Sequence, residues 1–221
     1  MKEEHKEIDP FINNFVSVYT FEALVHTEHE TQELIWESRI GIDRKRLLFT
    51  VMNGIQVRIG SFREFFIRFP ESKSLTIKHS VKVLWNGERK QAKLLEILKP
   101  QENQMHAPLV RVELMIAEKK YQVEECPTLT DAIWGLAETI GNDIDWWLMT
   151  CHHCIYSYPN FGWETEDRDE LQCYRDKPDQ FKEIQSKGKA SGQGARSGGQ
   201  YYVNAFHYCA GWKPLKSTQN T

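Results

Sequence analysis

Leu47-Leu48-Phe49-Thr50-Val51-Met52-Asn53-Gly54-Ile55-Gln56-Val57-Arg58-Ile59 is a pair of β-rich runs separated by two residues. Ile55 to Ile59 alternates apolar with polar side chains, as a strand with one solvated face does. Asn-Gly between two such runs is the strongest short-range hairpin signal, because both central positions of a type I′ turn need positive φ. The signal recurs at Asn86-Gly87, between Val81-Lys82-Val83-Leu84-Trp85 and a strand through Leu94. Short connections between neighbouring strands predict a meander, folded as a curved sheet, a sandwich or a partial barrel.

The same pattern extends outward. Phe15-Val16-Ser17-Val18-Tyr19-Thr20-Phe21 is rich in β-branched and aromatic residues. Leu109 to Ala117, with Arg111 and Glu113 alternating against Val110, Val112, Leu114 and Ile116, predicts a half-buried strand. A turn at Glu118-Lys119-Lys120 then leads into Tyr121-Gln122-Val123. Ser61-Phe62-Arg63-Glu64-Phe65-Phe66 fits a short helix and a strand equally well. One helix is clearly marked: Thr128 at its N-cap, Asp131 three residues on, Leu129, Ile133, Leu136 and Ile140 at helical spacing, and Gly141 at its end. Its apolar stripe is read as covering the open face of the sheet rather than docking a partner. No internal repeat is visible.

The fold class expected is therefore α+β: a mainly antiparallel β domain over 1–126, then a helix and a Cys-rich module over 127–221. Within that second part Ile144 to Met149 reads as a strand leading into Cys151, and Pro178 opens a short helix through Ile184. A Gly/Ser/Lys-rich flexible loop covers 186–200, Tyr201 to Phe206 forms a strand ending at Cys209, and the residues after Trp212 are loose.

At 221 residues, 40% of them hydrophobic and 12% aromatic, the chain can bury a real core, which excludes disorder over most of its length. A formal net charge of −3 exerts no overall pull on nucleic acid or anionic membrane. The charged lead Met1-Lys2-Glu3-Glu4-His5-Lys6-Glu7 has no signal-like apolar stretch behind it, and no apolar run is long enough to cross a bilayer. A cytoplasmic location is expected, where clustered cysteines serve as ligands more readily than as disulfides; an odd total of five also suits pairing poorly.

Four of those five cysteines lie in the last third. Cys151-His152-His153-Cys154 is followed by Cys173 after eighteen residues and by Cys209 after thirty-five more. A two-residue gap lets two thiolates face one tetrahedral cation, each about 2.3 Å from Zn²⁺. Cys151, Cys154, Cys173 and Cys209 are thus candidate ligands of a structural Zn²⁺, with His152, His153 or His207 able to replace one thiolate. Such a site contributes roughly 10–16 kcal/mol of apparent binding energy in small zinc peptides, enough to hold a segment with a long flexible insert. The plainer alternative makes Cys173 and Cys209 small buried apolar residues. Cys126, ahead of Pro127, reads as a packed thiol outside the set. A thiol–disulfide exchange centre needs a helix after the Cys-x-x-Cys, and Ile155-Tyr156-Ser157-Tyr158-Pro159-Asn160-Phe161-Gly162 opposes one.

Cys151-His152-His153-Cys154, Ser157-Tyr158, Pro159, Gly162, Leu171-Gln172-Cys173-Tyr174-Arg175 and Tyr208-Cys209 together resemble the C-terminal half of a bacterial family of unknown function. The resemblance covers about residues 128 to 209 at motif level, and the β-rich first half matches in character. It implies the same four ligand candidates and no activity. The chain departs from the family pattern after Cys209, where Ala210-Gly211-Trp212 follows, and in its glycine-rich insert.

Other features are weaker. Glu164, Glu166, Asp167, Asp169 and Glu170 match no calcium loop and read as a solvated acidic segment. Lys187, Lys189, Arg196, Lys213 and Lys216, interleaved with Tyr201, Tyr202, Phe206, Tyr208 and Trp212, form a sparse basic and aromatic tail of the kind that binds nucleic acid. Asp143 and Asp145 near His152 and His153 offer a carboxylate–histidine pair. No nucleophile–base motif, phosphate loop or His-x-x-x-His occurs. The functional expectation is a protein-interaction module with a structural zinc site. The alternatives are a nucleic-acid-binding module and, behind it, an enzyme using His152, His153 or Cys151.

Overall fold

The computed structural model describes residues 15–41, 46–52, 54–102, 106–141 and 145–150, together with 154, 157–159, 170–173, 176, 179 and 201–204. Eight strands run in two successive meanders. The first is β1 (Phe15–His26), β2 (Thr31–Gly41), β3 (Arg46–Met52) and β4 (Ile55–Ile59), closed by helix α1 (Phe62–Arg68). The second is β5 (Ser74–Trp85), β6 (Glu88–Lys99), β7 (Leu109–Ile116) and β8 (Lys119–Gln122), closed by helix α2 (Leu129–Ile140). The order of elements is thus used twice, four antiparallel strands and a helix, although no repeat shows in the residues. Strand order across the sheet is β4-β3-β2-β1-β5-β6-β7-β8.

The hairpin chemistry acts as the sequence indicates. Met52 pairs with Ile55 across the first turn, where Gly54 takes φ 77°. Asn86 and Gly87 take φ 50° and 78° between the paired Trp85 and Glu88. The β7–β8 turn falls one residue earlier than expected: Ala117 and Glu118 hold the left-handed conformation, at φ 48° and 66°, and Lys119 already belongs to β8. No turn-forming side chain marks that position, so closure is imposed by the register of the two strands.

The ambiguous 61–66 segment is helical, which makes two packed helices where one was expected. Ser61 Oγ accepts the N–H of Glu64 at 3.1 Å, and Glu64 Oε2 accepts the N–H of Gly60 at 2.6 Å. The first bond satisfies a donor that the helix start leaves open, and the second ties the helix back to the residue before its cap. Phe62, Phe65 and Phe66 then share one buried face. Trp36 of β2 stacks on Phe62 and meets Phe65 edge-on, with centroids 5.0 and 5.8 Å apart. At the other end of the sheet Thr128 caps α2 through the N–H of Asp131, Gly141 ends it at φ 86°, and Leu129, Ala132, Ile133, Leu136 and Ile140 are buried against β7 and β8.

β5 bridges the two meanders. Its first five residues pair with β1, from Glu22↔Lys78 to His26↔Ser74. β1 then diverges, and the same edge of β5 is taken up again by β9 (Trp146–Leu148) at Val83, Leu84 and Trp85. Met149 N–H donates to Lys82 O at 2.8 Å, carrying that pairing one residue further. Trp146 and Leu148 join the same core as α2 and the β1–β8 sheet. A separate three-stranded sheet has the order β10 (Ser157–Pro159), β11 (Glu170–Cys173), β12 (Tyr201–Asn204), and β12 approaches β2. The expected loop at 186–200 lies outside the described residues, as does the Pro178–Ile184 helix apart from Asp179. Among the described residues no helix is long and apolar enough to cross a membrane.

Candidate metal centre

β9 carries the chain out of the main sheet towards the cysteines, with Met149 and Thr150 both buried. Asp145, just ahead of β9, is engaged in holding this entry: its carbonyl accepts Asn86 N–H at 2.7 Å and its Oδ1 accepts Trp147 Nε1–H at 3.0 Å. Asp145 is one of the two carboxylates considered as partners for His152 or His153, and one of its oxygens is taken up here; the other, Asp143, lies outside the described residues.

Two of the four candidate ligands fall on described residues. Cys154 is buried, 3% exposed. Cys173 ends β11, paired on one side with Ser157 of β10 and on the other with Tyr201 of β12. Ser157 is the third residue after Cys154, so the strand pairing brings the chain just beyond Cys154 alongside Cys173. Cys151 and Cys209 lie outside the described residues, as do His152, His153 and His207. Among the described residues no group of three His, Cys, Asp or Glu side chains is placed to hold a metal ion.

Cys126 is set apart from this region. Its backbone bridges to Val110 of β7, its thiol donates to Glu124 O at 3.4 Å, and its side chain is half-buried against the main core. Burial, and secondarily the charge of Asp131, raises its pKa, which favours the neutral thiol over the thiolate that metal ligation requires.

A second cluster was not anticipated from the sequence. On the helix-covered face of the main sheet, His79 Nε2 lies 2.9 Å from Glu96 Oε2, each side chain 3% exposed. Leu75, Ile77, His79, Val81 and Val83 form the inward row of β5, and Ala92, Leu94, Glu96 and Leu98 that of β6. The legible signal was one ionisable residue interrupting the apolar alternation of each arm of a single hairpin. Each looks like a slip in the pattern until the register brings them together.

Comparison with protein-family models, curated proteins and solved structures finds no match to this chain.

Proposed function

We propose that this chain is a protein-interaction module whose C-terminal third forms a zinc-ribbon-like unit, closed by one structural Zn²⁺ on Cys151, Cys154, Cys173 and Cys209. The observation that favours it is the buried Cys154 followed, three residues on, by Ser157 in register with Cys173. The motif-level resemblance over residues 128 to 209 points the same way. Four thiolates are a soft donor set suited to Zn²⁺, and they leave no open coordination position at which water could be activated. A binding role is therefore the natural use. Val18, Ile35 and Met115 are 53, 38 and 46% exposed, and their strand positions put them on the face of the main sheet that the helices do not cover.

The test is elemental analysis joined to thiol accounting. One zinc per chain, with Cys151, Cys154, Cys173 and Cys209 protected from alkylation until a chelator is added, is expected. Metal-free protein with all four thiols reactive in the native state rejects the site. Retention of a labelled single-stranded RNA that falls steeply with added salt would replace the protein-binding reading with the nucleic-acid one.

A further inference from the structure

The outward side of the second meander gathers cations around an exposed methionine. Met115 of β7 is 46% exposed. Directly opposite it stand Lys93 of β6 on one side and Lys120 of β8 on the other, both exposed. Lys82 and Arg89, exposed on the same face, extend the positive surface towards the Asn86-Gly87 turn. Among the described residues of β5 to β8, Glu113 is the acid that shares this face. Its side chain is 8% exposed and is neutralised by Arg111 and Lys120 at 3.1 and 2.8 Å.

The helix on the other side of the same meander carries the complementary pattern. The buried stripe of α2 turns Trp134 outward, 57% exposed. Asp131 and Glu138, three residues before it and four after, are exposed on the same helix face. No Lys or Arg occurs in α2 to offset them.

We propose that this chain associates head to tail with a second copy of itself, the outer face of α2 in one copy docking on the Lys93–Met115–Lys120 row of the next. Trp134 lies on Met115, whose flexible thioether adapts to an aromatic ring. Asp131 and Glu138 face the ammonium groups on either side, which fixes the orientation. The two surfaces differ and lie on opposite sides of the meander, so each added copy leaves one of each unused. Association then grows as an open chain rather than closing as a two-fold dimer. One helix face on one strand row is a small contact, so the affinity is low and falls with added salt. This inference rests on the protein-interaction reading, for which it names the partner, and makes no use of the zinc site.

The test is sedimentation velocity of the full chain over rising concentration. The average mass should climb past that of a dimer and return towards the monomer as salt is added. Lys93→Glu spoils the strand-side surface and Trp134→Glu the helix-side one, so each variant alone should associate at least about tenfold more weakly. Mixed together, they should form a one-to-one complex that grows no further, because each supplies the surface the other lacks. A wild-type chain that stays monomeric, association that either variant leaves unchanged, or a mixture no heavier than its parts would each overturn the head-to-tail contact. The zinc and RNA measurements above decide the broader reading separately. Should Trp134→Glu fail to fold by circular dichroism, Glu138→Lys replaces it as the helix-side variant, and the loss in each single variant decides.

Discussion

The indole of Trp36 lies face to face with the ring of Phe62, their planes 17° from parallel. One residue belongs to the second strand and the other opens the first helix, so this contact, with the edge contact of Trp36 on Phe65, ties α1 to the first meander. Phe62→Ala removes the stacking partner and leaves a cavity beside Phe65, for a loss of about 3–5 kcal/mol. Urea unfolding followed by tryptophan fluorescence measures it, and a loss below about 1 kcal/mol would show that α1 is not part of the core.

The β7–β8 turn is built from residues ill suited to it. Ala117 and Glu118 both hold left-handed backbone, which an L side chain resists by about 1–2 kcal/mol per residue. Ala117→Asn combined with Glu118→Gly should raise stability by about 1–2 kcal/mol, with a higher Tm. An unchanged or lower Tm contradicts the turn geometry.

His79 and Glu96 should show the coupling of a buried pair. His79→Leu and Glu96→Leu each remove one side of this buried contact, and the double substitution should cost less than the two single losses added together. A double-mutant cycle by chemical denaturation reads this directly. Additive losses would mean that the two side chains act separately.

Cys126 should alkylate slowly in the native protein. Its raised pKa lowers the thiolate fraction at pH 8, and the rate should climb about tenfold per pH unit until that pKa is passed. Asp131→Asn removes one of the two causes and should speed the reaction. A native rate equal to that of the unfolded chain would refute the shift.

Cys154→Ser addresses the zinc proposal. The expected outcome is loss of bound zinc and of hydrogen-exchange protection beyond residue 150, with the β1–β8 sheet still protected. If neither this substitution nor a chelator alters thermal melting, no structural metal is present.

How much was legible follows from how local each cause is. Asn86-Gly87 dictates its turn, and Thr128 and Gly141 bound α2, because each acts through backbone preferences within a few residues. The Phe62, Phe65, Phe66 spacing suits a helix and three aromatics in six residues suit a strand, so local sequence left the two open. Packing against Trp36 and the Ser61 cap resolve it. β2 was not marked out at all: Thr31 to Gly41 mixes Glu33, Glu37 and Arg39 with its apolar residues, and it is a strand because β1 and β3 flank it. Of the candidate site, strand pairing relates the region after Cys154 to Cys173, a relation that spacing along the chain could not supply.

By itself, the sequence determined the antiparallel hairpins, the second helix with its caps, and a β-rich α+β class, since turn chemistry and side-chain alternation are written within a few neighbouring positions. Only the tertiary structure decided that β1 meets β5 over five pairs and then parts from it, that two meanders repeat one order of elements, and that His79 faces Glu96. Those features depend on register between segments more than fifty residues apart, as Glu22 and Lys78 are. A shift of one residue in that register would turn every one of these side chains to the other face.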